Sequence, residues 1–362
     1  MIAHLITNFE SKGGAEGVLI RHLSTISDNE ILVVSLMKCS REMTDQLPAS
    51  VTVIELCSEN AITMFRSAAK LRKILRIHNV TNMVCWMYHA NIIGAIATLF
   101  DGKINIIWNV RHSLDDHNGE KISTKIAIWL GRFFSWRASK VVFCALRSLD
   151  QHVAIKYCSR HKVAYIPNGF LFNRAANNAK IRQKNGKLVI GAAGRFHPSK
   201  DYPTLFRAVK ILQDAGVPYT LRLAGSCMEF ENRSLISLVA NIGLFSENVE
   251  YFGFQEDVTA FYSDIDVFIL SSKTEGFPNV LVEAAYCGCF CIASNVGDSK
   301  TILSDVGRIF PVRDHKRLSA IVFLYLTLGE IEVQNVVQKD ISYMIDNFSM
   351  AKFNERLLAL YK

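Results

Sequence analysis

Short runs rich in β-branched and other apolar residues recur along this chain, separated by stretches of helical period. In the first half, Ile2–Thr7, Ile31–Leu36, Val51–Leu56, Met83–Met87, Ile104–Val110 and Val141–Cys144 read as strands. Ala15–Thr25 and Met64–Ile77 read as helices, the second with Phe65, Ala68, Leu71 and Leu75 on one side. Strands that alternate with helices pair in parallel, because each crossover helix carries the chain back to the same end of the sheet. The alternation halts at the turn Ile166-Pro-Asn-Gly169 and the polar stretch Asn173–Lys187. It restarts with Leu188–Ala192, Thr220–Leu223, Val249–Phe252, Val267–Leu270 and Cys289–Ala293, and an amphipathic helix closes the chain at Phe348–Tyr361. The sequence therefore predicts two doubly wound α/β domains, 1–169 and 170–347, with 170–187 as linker and 348–362 as a terminal helix. A length of 362 residues suits two domains. Two such domains in series leave a cleft between them, and ligands of these sheets bind beyond the carboxyl ends of the strands.

Composition narrows the function. No apolar run approaches the roughly 18–20 residues needed to span a bilayer, and MIAHLITNFE reads as a first strand rather than a leader. A cytoplasmic protein is expected. The nine cysteines are odd in number and contain no C-x-x-C. Cys287, Cys289 and Cys291 alternate at strand spacing with no histidine nearby, which favours buried small residues over a metal site. Charge is uneven: residues 1–170 hold 20 Lys and Arg against 13 Asp and Glu, whereas the remainder is nearly balanced. A basic first half suggests an acidic partner there.

The chemistry concentrates in the second half. In LVIGAAGRFHPSKDY a strand runs into small residues, then Arg195 and Lys200. Two cations at a strand's end can clamp a diphosphate, although a solvated basic loop has the same composition. A dinucleotide fold is disfavoured because only Gly191-x-x-Gly194 is present, not G-x-G-x-x-G. Further on, SSKTEGFPNVLVEAAYCG puts Glu275 in a strand-to-helix turn and Glu283 inside the following helix, whose first turn suits Pro278. A helix N-terminus offers N–H groups and a positive dipole end to phosphate. Apolar neighbours bury that helix, so Glu283 needs a partner, and ligand hydroxyls would serve. The two carboxylates thus address different parts of one extended ligand. A glycosidase would need two carboxyls flanking a single bond. Asp264-Ile-Asp266 spells a D-x-D metal motif but precedes its strand, at the wrong end of the sheet.

Together, Glu275-x7-Glu283, Gly194-Arg195-x4-Lys200, the strand DVFILSS, Gly13-Gly14-Ala-Glu16, His89 in WMYHAN and IPNG at 166–169 resemble the retaining family 4 glycosyltransferases of the GT-B fold. The resemblance covers nearly the whole chain, in order. It implies that Arg195 and Lys200 bind the donor's phosphates and balance the departing nucleoside diphosphate. Glu275 would contact the donor sugar's hydroxyls, and Glu283 the ribose. The turn Gly276, Phe277, Pro278, Asn279 and Val280 would touch sugar and phosphate, through the N–H groups of its members other than Pro278. Gly14 would leave room beside the phosphates, His89 would face the reacting centre, and the terminal helix would cross back to brace the first domain. His197-Pro198 departs from the family's pattern and receives no role.

The implied reaction moves a hexose-type sugar from a nucleotide sugar, UDP being the family's commonest carrier, to a glycan acceptor with retention and without metal or other cofactor. The acceptor should meet the basic half. Arg66, Lys70, Arg72, Lys73 and Arg76 crowd one helix. Lys121, Lys125, Arg132, Arg137 and Lys140 line a stretch with Phe133, Phe134 and Trp136. Basic and aromatic helices of this kind can lie on anionic membrane, or can simply be solvated. A peripheral enzyme extending a lipid-linked or cell-surface glycan is expected, and no nucleic-acid reader motif accompanies the charge. A nucleotide-sugar epimerase or a non-catalytic nucleotide-sugar binder of the same fold is the alternative.

Overall fold

The computed structural model describes residues 1–11, 13–26, 30–115, 121–172, 186–255 and 258–361. It divides into two compact units: Met1–Leu171 together with Phe348–Lys362, and Phe172–Asn347. Most of the polar stretch read as a linker, 173–185, lies outside the described residues.

The first unit is a seven-stranded sheet in the order β3-β2-β1-β4-β5-β6-β7, every pairing parallel. The strands are β1 (Ile2–Ile6), β2 (Ile31–Ser35), β3 (Val51–Glu55), β4 (Asn82–Trp86), β5 (Asn105–Val110), β6 (Lys140–Phe143) and β7 (Val163–Tyr165). The helices between them are α1 (Gly14–Leu23), α2 (Arg41–Thr44), α3 (Ala61–Ile77), α4 (Met87–Ala97), α5 (Ile122–Phe134) and α6 (Leu146–Ala154). Because helices cover both faces, β1 and β2 are buried along their whole length, and their sequences run apolar apart from His4 and Ser35, without alternation. Asn60 starts α3 as a capping box: its side chain accepts from Thr63 N, and Thr63 Oγ1 accepts from Asn60 N.

The second unit repeats the plan with six parallel strands ordered β10-β9-β8-β11-β12-β13. These are β8 (Leu188–Ala193), β9 (Tyr219–Ala224), β10 (Val249–Gly253), β11 (Val267–Leu270), β12 (Phe290–Ser294) and β13 (Ile309–Phe310). Its helices are α7 (Tyr202–Asp214), α8 (Arg233–Ile242), α9 (Val258–Ser263), α10 (Asn279–Tyr286), α11 (Ser299–Leu303), α12 (His315–Thr327) and α13 (Glu330–Phe348). Cys289 and Cys291 are buried at and beside β12, and none of the nine cysteines forms a disulfide among the described residues.

The expected terminal helix Phe348–Tyr361 is broken. α13 ends at Phe348, and Ser349 pairs with Phe170 as an isolated parallel bridge and becomes the cap residue of α14 (Met350–Leu358). A single-turn 3-10 segment, Ala359–Tyr361, follows. α14 belongs to the first unit. Met350, Phe353 and Leu357 enter a core with Val18, Leu19 and Ile107. Asn354 hydrogen bonds to His22 Nδ1 at 2.7 Å and to Thr25 Oγ1 at 2.9 Å.

No single helix among the described residues is long and apolar enough to cross a membrane. α12 and α13 meet that criterion only as a pair bent by 117°.

Candidate active site

In the second unit, strand order reverses between β8 and β11, which are neighbours in the sheet although two strands lie between them in the chain. The loops leaving their carboxyl ends turn to opposite sides, and the crevice between them is the ligand position of doubly wound sheets. Both sequence motifs fall on these two loops. After β8, Gly194 takes φ +147°, which a side chain rarely adopts. Arg195 follows, and a 3-10 turn, Pro198–Lys200, delivers the chain to Asp201 and α7. His197, which sequence reasoning left without a role, caps that turn by accepting from Ser199 N. After β11, Ser271–Pro278 leads into α10, which starts at Asn279 with Pro278 in the cap position, one residue later than expected.

Hydrogen bonds tie the loops together. Ser271 Oγ donates to Lys200 O at 2.8 Å, and Lys273 N donates to Ser199 O at 2.7 Å. Lys273 Nζ lies 3.4 Å from Asp201 Oδ1, and Asp201 also accepts from Thr204 Oγ1. Within this frame Lys200 Nζ meets Glu275 Oε1 at 2.6 Å, with only 23% and 12% of the two side chains exposed. Ser272 Oγ donates to the same carboxylate oxygen at 2.6 Å. Sequence reasoning gave these two charges separate tasks, and the fold brings them into contact. Arg195 is exposed and has no hydrogen bond or ion pair among the described residues.

Glu283 sits half-buried on the second turn of α10, and the Tyr262 hydroxyl donates to its Oε2 at 3.4 Å. Tyr262 is fully buried. Burial first, then the charge of Glu283, holds its hydroxyl well above the ordinary tyrosine range, so it stays a donor. The third side of the turn comes from the loop after β12. Gly297, at φ +48°, passes so close that an added Cβ would lie 2.7 Å from Gly276 O and 3.0 Å from Glu275 O.

Ser272, Tyr262 and Gly297 were not found by sequence reasoning. A hydroxyl three residues before Glu275 was visible but ambiguous. Tyr262 and Gly297 act through proximity between elements far apart in the chain. The carboxylates of Asp264-Ile-Asp266 are used at the amino ends of strands: Asp266 Oδ2 accepts from Val189 N, and Asp264 pairs with Arg222. No group of three His, Cys, Asp or Glu side chains suited to a metal occurs among the described residues.

Two expected site residues lie in the first unit. Gly14 opens α1, and an added Cβ there would meet nothing within 4 Å. Beside it Glu16 is half-buried, and burial raises its carboxyl above the usual range against hydrogen bonds from its own N–H and that of Gly13. His89 lies in the first turn of α4 and lines a cavity of about 280 Å³ with residues of α3 and α5. Burial lowers its pKa, leaving the ring neutral at pH 7.

Residues 173–336 match the family profile described as glycosyl transferases group 1. The second unit is a glycosyl transferases group 1 domain. Along nearly its full length, the chain is similar to the UDP-Gal:alpha-D-GlcNAc-diphosphoundecaprenol alpha-1,3-galactosyltransferase of Escherichia coli. The two are 22% identical, over 96% of this chain and 93% of the relative. It is also 22% identical to the capsular polysaccharide biosynthesis glycosyltransferase CapH of Staphylococcus aureus, over 83% of each chain. The structure superposes on Anabaena HepE in complex with UDP and glucose with a TM-score of 0.77, at 20% identity and 99% coverage of both chains. The protein is a glycosyltransferase with the GT-B fold. In this glycosyltransferase the Lys200–Glu275 contact and Glu283 flank the start of α10.

Proposed function

We propose that this glycosyltransferase moves a hexose from a UDP-sugar to a glycan carried on a lipid diphosphate, with retention of configuration and without a metal ion. The observation that carries the reading is the Lys200–Glu275 pair at the strand-switch crevice. An ammonium and a carboxylate in contact there can separate onto a donor's diphosphate and its sugar hydroxyls. Arg195, Lys200 and the N–H groups at the start of α10 would then stabilise the charge on the departing UDP, the task a metal performs elsewhere. Glu283, oriented by Tyr262, would hold the ribose.

The donor assignment is supported by the UDP and glucose in the Anabaena structure, and the acceptor class by the name of the Escherichia coli relative, a GlcNAc-diphosphoundecaprenol galactosyltransferase. Synthesis of a bacterial surface polysaccharide, of O-antigen or lipopolysaccharide type, follows from the same relatives. A peripheral position at the inner face of the membrane is supported by α5, which exposes Ile122, Ile126, Trp129 and Phe133 in one stripe.

The test incubates the full chain with UDP-galactose or UDP-glucose, with and without an N-acetylglucosamine diphospholipid, in the presence of a chelator. UDP release that requires acceptor, survives the chelator and gives an α-linked product by NMR is expected. A sugar altered without acceptor would establish an epimerase. Binding without turnover in any condition would establish a nucleotide-sugar binder.

A further inference from the structure

α5 carries apolar residues on its outer face as well as on the face that meets the core. Its inner side, Ala127, Ile128 and Gly131, meets the core, yet Ile122, Ile126, Trp129 and Phe133 stand 52–76% exposed at spacings of four, three and four residues. Apolar surface gathered on one ridge in this way marks an interaction site. The ridge borders the cavity that His89 lines. Phe65 of α3, Ile92 and Ile93 of α4, and Ile126 and Leu130 of α5 form its walls, with His89 and Ser123 the polar members. At about 280 Å³ it approaches the lower end of small-molecule sites, about 300 Å³. It lies along the amino-terminal halves of α3 and α4 and the first turns of α5 to Leu130, towards the end of the parallel sheet where its strands finish.

A wall with so few polar groups excludes sugar hydroxyls, whose burial without partners is costly. It suits hydrocarbon. The neighbouring cations say what the hydrocarbon is attached to. Arg72 and Arg137 are committed to the fold: Arg72 donates to Ala97 O, and Arg137 to Thr98 O, Asp101 O and Ile104 O. Arg66, next to Phe65, and Lys121, next to Ile122, are exposed, and their side chains have no hydrogen bond or ion pair among the described residues. An apolar trough flanked by unpaired cations complements an anionic head on an apolar tail.

We infer that this cavity seats the first isoprene units of the acceptor's polyprenyl diphosphate, with Arg66 and Lys121 meeting its diphosphate. The inference rests on the lipid-diphosphate acceptor proposed above and assigns it a position. His89, neutral at pH 7, is compatible with an apolar occupant beside it.

The test is calorimetric titration of the full chain with farnesyl diphosphate, dimethylallyl diphosphate, inorganic diphosphate and dodecyl phosphate, with UDP as a separate titrant. Farnesyl diphosphate should bind at least roughly tenfold more tightly than dimethylallyl diphosphate, since each buried carbon adds favourable transfer energy. Ser123→Trp, at an exposed lining position, and Ile126→Asp should each abolish that preference while UDP affinity stays unchanged. Equal affinity for the two prenyl diphosphates overturns the inference, as does a preference that survives both substitutions. Dodecyl phosphate binding as tightly as farnesyl diphosphate overturns the isoprenoid assignment in favour of acyl lipid. Failure of the wild type to bind UDP would instead strike the donor reading and leave the chain-length result to be judged separately.

Discussion

Lys200 and Glu275, 75 residues apart in the chain, meet through Nζ and Oε1 at 2.6 Å across the crevice between the β8 and β11 loops. Because each charge is the other's ion-pair partner, removing one leaves the other partly buried without its counter-charge. Glu275→Ala should therefore lower transfer by roughly 10²–10³-fold, the range typical of a lost transition-state contact, while UDP affinity changes little. Lys200→Ala should lower both. The double variant should cost less than the sum of the two in log units, as expected for groups that touch. Transfer rates and UDP titrations on the four proteins check this, and strict additivity would show that the pair does not act as a unit.

Ser272 holds Glu275 from the strand side. Ser272→Ala removes a hydrogen bond to a carboxylate, worth about 1.5–3 kcal/mol. Transfer should fall by roughly tenfold to a hundredfold, mainly in kcat, with UDP binding retained. Ser272→Thr should restore part of it.

Tyr262→Phe deletes the hydroxyl that orients Glu283 and keeps the ring. At a net value of about 1 kcal/mol for such a bond, UDP should bind about fivefold more weakly. Inorganic diphosphate, which has no ribose, should show no such loss, because the defect lies at the ribose.

Gly297→Ala places a methyl group against Gly276 O and Glu275 O at a positive φ. The left-handed conformation alone costs about 1–2 kcal/mol. Thermal stability should fall by that order, and activity should fall further because the turn carrying Glu275 must shift.

His22 and His4 make the first unit sensitive to acid. Burial pushes His22 down to about 4, opposed by the bond to Asn354, and the nearby Arg111 charge adds to the lowering. His4 is also lowered well below its ordinary value, by burial and then by His22. Since the unfolded chain binds protons near 6.5 and the folded chain only near 4, stability is full above pH 6.5 and is lost as pH falls towards 4. For His22 the loss approaches about 1.4 kcal/mol per pH unit across that window, and the lowered His4 acts in the same direction. Urea midpoints measured from pH 7 to pH 4 should fall, and His22→Gln should flatten the profile.

The alternation that announced two doubly wound sheets was legible because the central strands are buried on both faces and therefore mostly apolar. β13 was not, since Ile309–Phe310 is two residues long, and neither was the three-residue β7. The cations of α3 and the α5 region looked alike in sequence. Only the fold separates Arg72 and Arg137, bonded to carbonyls around the end of α4, from the unpaired Arg66 and Lys121. For α5, apolar residues lie on both faces, so periodicity could not say which faced water. The Lys200–Glu275 contact depends on β8 lying beside β11, a fact of strand order that no local spacing encodes. The break at Ser349 arises where its backbone pairs with Phe170, a tertiary bridge that a helical pattern does not reveal.

The first unit cannot finish folding on the ribosome in the order in which it is made. Its residues through Leu171 emerge first, yet Met350, Phe353 and Leu357 complete the core around Val18, Leu19 and Ile107. The second unit is continuous in sequence and can close as soon as it leaves the exit tunnel. Until α14 arrives, the nascent first unit exposes an apolar face, a natural binding site for a chaperone. Premature termination just before Met350 would leave that face permanently open.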